Sequence, residues 1–170
     1  TSSTYGWGLA FFDVSTGELK LTQVDSVKDV LSEVGRMQPM EMLICPLSSG
    51  HNTLLDFFDK HHIMVSDIEA EAWRKSEAER ELKETLNVAS LNAFALGDFP
   101  DGARAAGTVV RYCRTQTGGT IRNLHGVKTY HIHEYMVLDE TTRRNLELTR
   151  TLLDGKKKGS LIWLLDETAT

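Results

Sequence analysis

Few residues in this chain are placed to do chemistry. Asp13 ends an apolar run, Trp7 to Val14, just before a turn. A metal-dependent nuclease could anchor a carboxylate there, but two-metal catalysis needs several carboxylates clamping ions about 3.5 to 4 Å apart. The other strand-like runs offer only Glu41 and the nearby Asp67, both at strand edges, and Asp13 read as a turn residue bonds its own backbone. His131 and His133 share a face of an alternating segment, as metal ligands can, yet no third ligand is written beside them. Cys45 and Cys113 form no C-x-x-C pair and read as reduced core thiols. Gly102 to Thr108 is a run rich in small residues that serve packing and lacks the lysine of a phosphate loop, and no serine sits in a G-x-S-x-G elbow.

The elements that would position these residues alternate. Trp7 to Val14 and Glu18 to Val24, joined through Ser15, Thr16 and Gly17, predict a β-hairpin whose first strand is apolar on both faces and belongs inside a sheet. Ser26 with Asp29 starts a helix bearing Val27, Val30, Leu31, Val34 and Met37, closed by Pro39. Glu41 to Cys45, ended by Pro46, predicts a short strand, Asn52 caps a helix carrying Leu54, Leu55, Phe57 and Phe58, and His62 to Val65 predicts another strand. Strands separated by helices imply parallel pairing through crossovers. Glu69 to Leu86 reads as a charged, solvent-facing helix with i,i+4 pairs Glu71 with Lys75 and Glu79 with Lys83. A small-residue helix follows, with Ala103, Ala106, Val110 and Cys113 on one face, Ala105 and Gly107 permitting close approach, and Gly118-Gly119 as its stop. Val127 to Ile132 is a last extended segment, and the first compact unit ends near His133.

Beyond it, Asp139 caps a helix expected to reach Leu153 and to stop at Asp154-Gly155. Leu146 with Leu153 and Leu148 with Leu152 form stripes on opposite sides of that helix. Ser160 caps an all-round apolar turn, Leu161 to Leu165. Such a tail demands partners, so it is expected to open a further helical domain or to self-associate as a consequence of truncation; the start without methionine and the abrupt end at Thr170 fit a piece of a longer protein.

Charge is uneven. The net charge is −5, but residues 1–101 carry −9, residues 102–133 carry Arg104, Arg111, Arg114, Arg122 and Lys128 with no acid, and residues 134–170 carry −1. The acid-free stretch is either a docking surface for an acidic partner or a solvated helix face. With 41% apolar and 25% charged residues, the composition excludes disordered, collagenous and disulfide-stapled classes. No run is long and apolar enough for a membrane span, no secretion signal is written, and a cytoplasmic setting is the default.

The stretch from Tyr135 to Thr170, YMVLDETTRRNLELTRTLLDGKKKGSLIWLLDETAT, resembles the MutS DNA mismatch-repair family, whose form there is D-x-x-T-R-R-N-L-E-L followed by G-S-L-x-x-x-L-D-x-T-x-T. GLAFFDVSTGELKL from Gly8, QPMEML from Gln38, and Ala105-Ala106-Gly107 with Tyr112, Thr115 and Gln116 resemble successive landmarks of that family's connector domain, so the resemblance covers essentially the whole chain. It implies an α/β fold, RNase H-like with a mixed sheet and flanking helices, over residues 1–133, and the first helices of the core or lever domain over 134–170. The family's dimers recognise mismatched DNA, clamp it and signal through an ATPase using ATP and Mg²⁺, all in parts this chain lacks. The implied role is a non-catalytic connector that needs no cofactor of its own, contacts other MutS domains and offers a surface to MutL. Arg111, Arg114, Gln116 and Arg122 are the candidate docking residues, and Thr142, Arg143, Arg144, Asn145, Leu146 and Glu147 mark the connector–core junction. The alternative is an RNase H-like metal-dependent nuclease using Asp13.

Overall fold

The computed structural model describes residues 6–45, 51–94, 96–119, 121, 124, 126–132 and 140–166. The chain divides into two compact units, Thr1–Tyr135 and Met136–Thr170. Pro46, Arg122, His133 and Asp139, each given a part by the sequence, lie outside the described residues.

The first unit is a mixed α/β structure. Strand β1 (Trp7–Asp13) and strand β2 (Glu18–Val24) form the expected antiparallel hairpin, with Trp7 opposite Val24 and Asp13 opposite Glu18. The turn uses Gly17 at φ 73°, a left-handed conformation that glycine adopts without a Cβ penalty. Helix α1 (Val27–Met37) starts as its sequence specifies: Ser26 Oγ accepts from Asp29 N–H at 3.2 Å and donates to its carboxylate at 2.7 Å. Strand β3 (Glu41–Leu43), helix α2 (His51–Lys60) and strand β4 (Met64–Ser66) make a crossover in which β3 and β4 pair in parallel. Asn52 therefore lies inside the first turn of α2 rather than at its cap. The last strand of this crossover begins at Met64, because His62 stands in a turn at φ 55°.

Helix α3 (Lys75–Leu86) follows a short 3-10 turn, Ala70–Trp73; helix α4 (Pro100–Gln116) and strand β5 (Val127–Thr129) complete the unit. Strand β5 pairs in parallel with β2, so β2 and not β1 is the central strand of the order β1-β2-β5. The two-sided apolarity of β1 has another cause: helices cover both faces of its sheet. Trp7, Leu9 and Phe11 pack into a cluster with Val30, Val34, Leu54 and Phe58 from α1 and α2. Ala10 and Phe12 pack with Leu19, Leu21, Leu82, Ala106 and Val110, toward α3 and α4.

The expected single mixed sheet is divided. Strands β3 and β4 form a separate two-stranded sheet, and a cavity of ≈ 550 Å³ lined by Phe12, Met37, Met40, Glu41 and Tyr112 lies against β1 and β3. Glu41 is held there by neighbours on other elements, accepting from Tyr112 Oη on α4 and from Ser66 Oγ on β4, each at 2.5 Å.

The charged segment 69–86 is not the solvent-facing helix its composition predicts. Ala78, Glu81 and Leu82 are buried on α3, because α4 seats directly against it. A Cβ on Gly107 of α4 would fall 2.5 Å from Ala78 Cα and collide with the Ala78 carbonyl oxygen. The predicted pair of Glu71 with Lys75 does not form: the helix begins only at Lys75 after an extended Arg74, so Glu71 pairs with Arg74 at 3.2 Å and Lys75 with Glu79 at 3.7 Å.

In the second unit, helix α5 (Glu140–Asn145) ends far short of Leu153. Glu147 takes φ 47°, and the carbonyls of Glu147 and Leu148 accept from Leu161 and Ile162 N–H at 2.9 Å each. Helix α6 (Leu161–Leu165), capped by Ser160 as expected, has no buried residue. Leu146, Leu152 and Leu153 are exposed in the bent chain, and what the bend adds is partners for the orphan N–H groups of Leu161 and Ile162 at the start of α6.

Two outcomes follow. Gly107→Ala should destabilise the first unit by about 1 to 3 kcal/mol in urea denaturation, as overpacking against backbone does, whereas Gly97→Ala, with open space around it, should not. Leu153 is 98% exposed and Leu164 71%, and burying such a side chain is worth about 1.5 to 3 kcal/mol. Light scattering should therefore show concentration-dependent association of the chain that vanishes when it is ended near residue 133; a monodisperse monomer in both would refute it.

Candidate interaction surface on helices α3 and α4

Helix α4 carries three of the four candidate docking residues. It runs with Pro100 at its first turn and ends where Thr117 N–H and Gly119 N–H reach back to the carbonyls of Cys113 and Arg114. Its starting end is fixed to the hairpin: Gln23 Oε1 accepts from Asp101 N–H at 2.9 Å, and a Cβ on Gly102 would fall 2.7 Å from the Thr22 carbonyl oxygen. Thr108 Oγ1 donates to the Ala72 carbonyl at 3.0 Å and ties its middle to the 3-10 turn before α3.

Arg111 and Arg114 lie one turn apart on the side that meets α3, where Glu77, Glu81 and Glu84 follow an i, i+4, i+7 stripe. Arg111 Nη1 donates to Glu77 at 3.4 Å. Arg114 Nη2 donates to Glu81 Oε2 at 3.0 Å, its Nε lies 2.8 Å from Glu81 Oε1, and its Nη1 donates to Glu84 at 3.5 Å. Gln116 is exposed at the end of the helix. Arg104 pairs with Asp101 at 2.6 Å and Lys128 with Glu18 at 2.9 Å. The described cations of the stretch are thus matched by acids, Arg104 by Asp101 of its own helix and Arg111, Arg114 and Lys128 by acids of other elements, and for the arginine pairs the sequence signal was the acidic stripe on α3.

Glu81 is the most constrained of these carboxylates, with 1% of its surface exposed. Burial pushes its carboxyl above the usual range, and Glu84 adds to this while Arg114 and Arg111 pull the other way. Elsewhere, Glu33 joins α1 to the last strand region, accepting from Tyr130 Oη at 2.8 Å and from Arg36 at 2.6 Å. Burial and the Glu33 carboxylate together raise the Tyr130 phenol.

The residues suspected of catalysis are not brought together. Asp13 Oδ1 accepts from Ser15 Oγ at 2.6 Å, Ser15 N–H at 2.8 Å and Thr16 N–H at 3.3 Å; these bonds hold its carboxyl low and make it a turn residue. Glu41 is committed to Tyr112 and Ser66, and burial raises the Cys113 thiol. His131 stacks on Phe99 at 4.7 Å. Among the described residues no group of three metal-ligating side chains converges. Of the junction signature, Thr142 to Asn145 lie in α5, while Leu146 and Glu147 make its exit; Glu147 Oε1 accepts from Leu152 N–H at 2.5 Å.

The sequence profile of MutS domain II matches residues 2–124. The chain belongs to the MutS family. It is 36% identical over 171 residues to the DNA mismatch repair protein MutS of Symbiobacterium thermophilum, covering 99% of this chain and 20% of that protein. It is 33% identical to MutS of Lachnoclostridium phytofermentans, with 96% and 18% covered, and 35% identical to MutS of Thermosynechococcus vestitus, with 96% and 20% covered. The chain spans about a fifth of the length of these relatives. Its identity as the MutS connector, domain II, makes it a non-catalytic part of that family and sets aside the Asp13 nuclease.

Two measurements bear on this surface. Incubated with Mg²⁺ or Mn²⁺, the domain should leave DNA, RNA and RNA–DNA hybrids intact; cleavage lost in Asp13→Asn would revive the nuclease. Because the folded Glu81 carboxyl is raised, its contribution to stability is present below the ordinary carboxylate range and is lost as pH rises through its folded value. The stability of the native chain relative to Glu81→Gln should therefore fall as pH rises above the ordinary glutamate value of about 4.3 in urea titrations; a gap widening in favour of the native chain would mean the pairing with Arg114 outweighs desolvation.

Proposed function

We propose that this chain works as a signal-relaying connector between the mismatch-binding and ATPase regions of a bacterial MutS, with residues 1–133 as an RNase H-like connector and 134–170 as the opening helices of the core or lever domain. The family match to domain II carries this reading. The RNase H-like part is supported by the opening hairpin, the parallel crossover and helices on both sheet faces. In this reading ATP, Mg²⁺ and mismatched DNA are handled by other MutS domains. The protein works in the cytoplasm at the nucleoid, in keeping with its bacterial relatives.

A MutL-like protein is the proposed partner, docking along α4 at Arg111, Arg114 and Gln116 with Arg122 beyond the helix. Arg111 and Arg114 keep 31% and 34% of their side chains exposed while bound to α3, so a partner would meet the outer edges of paired guanidinium groups. Exposed pairs of this kind are worth less than about 1 kcal/mol each and are screened by salt.

The test is a pull-down of the MutL N-terminal domain. Binding should weaken from low to physiological salt, and Gln116→Glu, which touches no ion pair, should weaken it together with Arg111→Glu and Arg114→Glu. Circular dichroism of the arginine variants separates lost docking from a loosened α3–α4 contact. Salt-independent binding unmoved by all three would remove MutL from this face.

A further inference from the structure

We infer that a second, separate site for an acidic peptide lies in the groove between α3 and the start of α4. Helix α3 segregates its charge: Glu77, Glu81 and Glu84 turn to the arginines of α4, and Lys75, Glu79 and Lys83, at i, i+4 and i+8, line a cavity of ≈ 240 Å³ on another side. Arg104 closes the groove from α4, and Leu91, Leu96 and Ala103 line it with apolar surface. The wall thus presents three cations to one carboxylate, within a stretch whose overall sign is negative.

The pairing inside the groove is incomplete. Glu79 reaches Lys75 only at 3.7 Å, and Arg104 is drawn to Asp101. Lys83, half-buried, has no ion pair or side-chain hydrogen bond among the described residues. An ammonium with no carboxylate partner beside apolar surface attracts an incoming carboxylate without having to give up an existing ion pair.

The chemistry selects a peptide over a nucleic acid. The groove is short, with leucine and alanine on its wall and no exposed aromatic ring on which a base could stack. A polyanion would also meet Glu79 inside the groove and Asp101 beside Arg104. An aspartate or glutamate next to a leucine fits both surfaces, the carboxylate at Lys83 and Lys75 and the apolar side chain on Leu91 and Leu96. This site is independent of the α4 arginines proposed for MutL.

The experiment uses the whole chain and a fluorescein-labelled pentapeptide alternating aspartate and leucine, followed by anisotropy and by amide shifts. Binding is expected to weaken at least fivefold in the double variant Lys75→Gln/Lys83→Gln, which keeps the aliphatic stems and removes the charges, with shifts centred on residues 90–97. It should be unchanged in Lys28→Gln, an exposed lysine on α1, and a matched lysine–leucine peptide should not bind. Three results would overturn the inference. One is equal binding of the lysine peptide. Another is affinity unmoved in the double variant, or lost equally in Lys28→Gln. The third is displacement by oligothymidylate at equal or lower charge concentration, which would assign the groove to phosphate.

Discussion

The structure depends on how closely the backbone of α4 approaches its neighbours. At Gly8, Gly102 and Gly107 a Cβ would strike the backbone of Asp101, Thr22 and Ala78 respectively. These three contacts place one helix on β1, on β2 and on α3 without intervening side chains. Close approach of this kind maximises dispersion contacts and leaves little room for adjustment, since interiors are packed nearly as densely as organic crystals. Everything attached to α4 inherits its position: Thr108 holds the 3-10 turn, Tyr112 holds Glu41, and the arginines of its second half meet α3.

That placement explains the fate of the charges. Counting along the chain gives a basic stretch, but Coulomb energy depends on distance in space, and the acids of α3 come within 3.5 Å of Arg111 and Arg114. The contact combines apolar burial at Ala78 and Leu82 with a row of ion pairs along its edge. Glu81 lies innermost, and there the cost of desolvation exceeds what the guanidinium of Arg114 returns. With its acids drawn inward, α3 leaves lysines over the opposite groove.

The second unit obeys a different rule. Its leucines alternate around the helix axis and find no core among the described residues, so helix continuation from Asn145 gains little beyond backbone hydrogen bonds. Those bonds are available another way, through the carbonyls of Glu147 and Leu148 to the start of α6. In a longer MutS chain, helices packed on both stripes would shift that balance toward the straight helix that the heptad-like spacing of Leu146 and Leu153 describes.

The alternation of strand and helix determined the parallel crossover, and the resemblance ran through landmarks from Gly8 to Thr170; sequence alone also determined what is local: the hairpin with its glycine turn, the turn role of Asp13, the Ser26 cap and the stripe of α1, and the stop at Gly118-Gly119. Those local features rest on residues within a few positions of one another, where turn chemistry and helical periodicity act. Tertiary structure alone decided that β2 rather than β1 is central, that segment 69–86 is buried along one side, and that Arg111 and Arg114 face carboxylates some 30 residues earlier. Those outcomes depend on which surfaces meet across long loops. A charge pattern or an apolar face states only that a partner is required, and the close seating of α4 determines which partner it is.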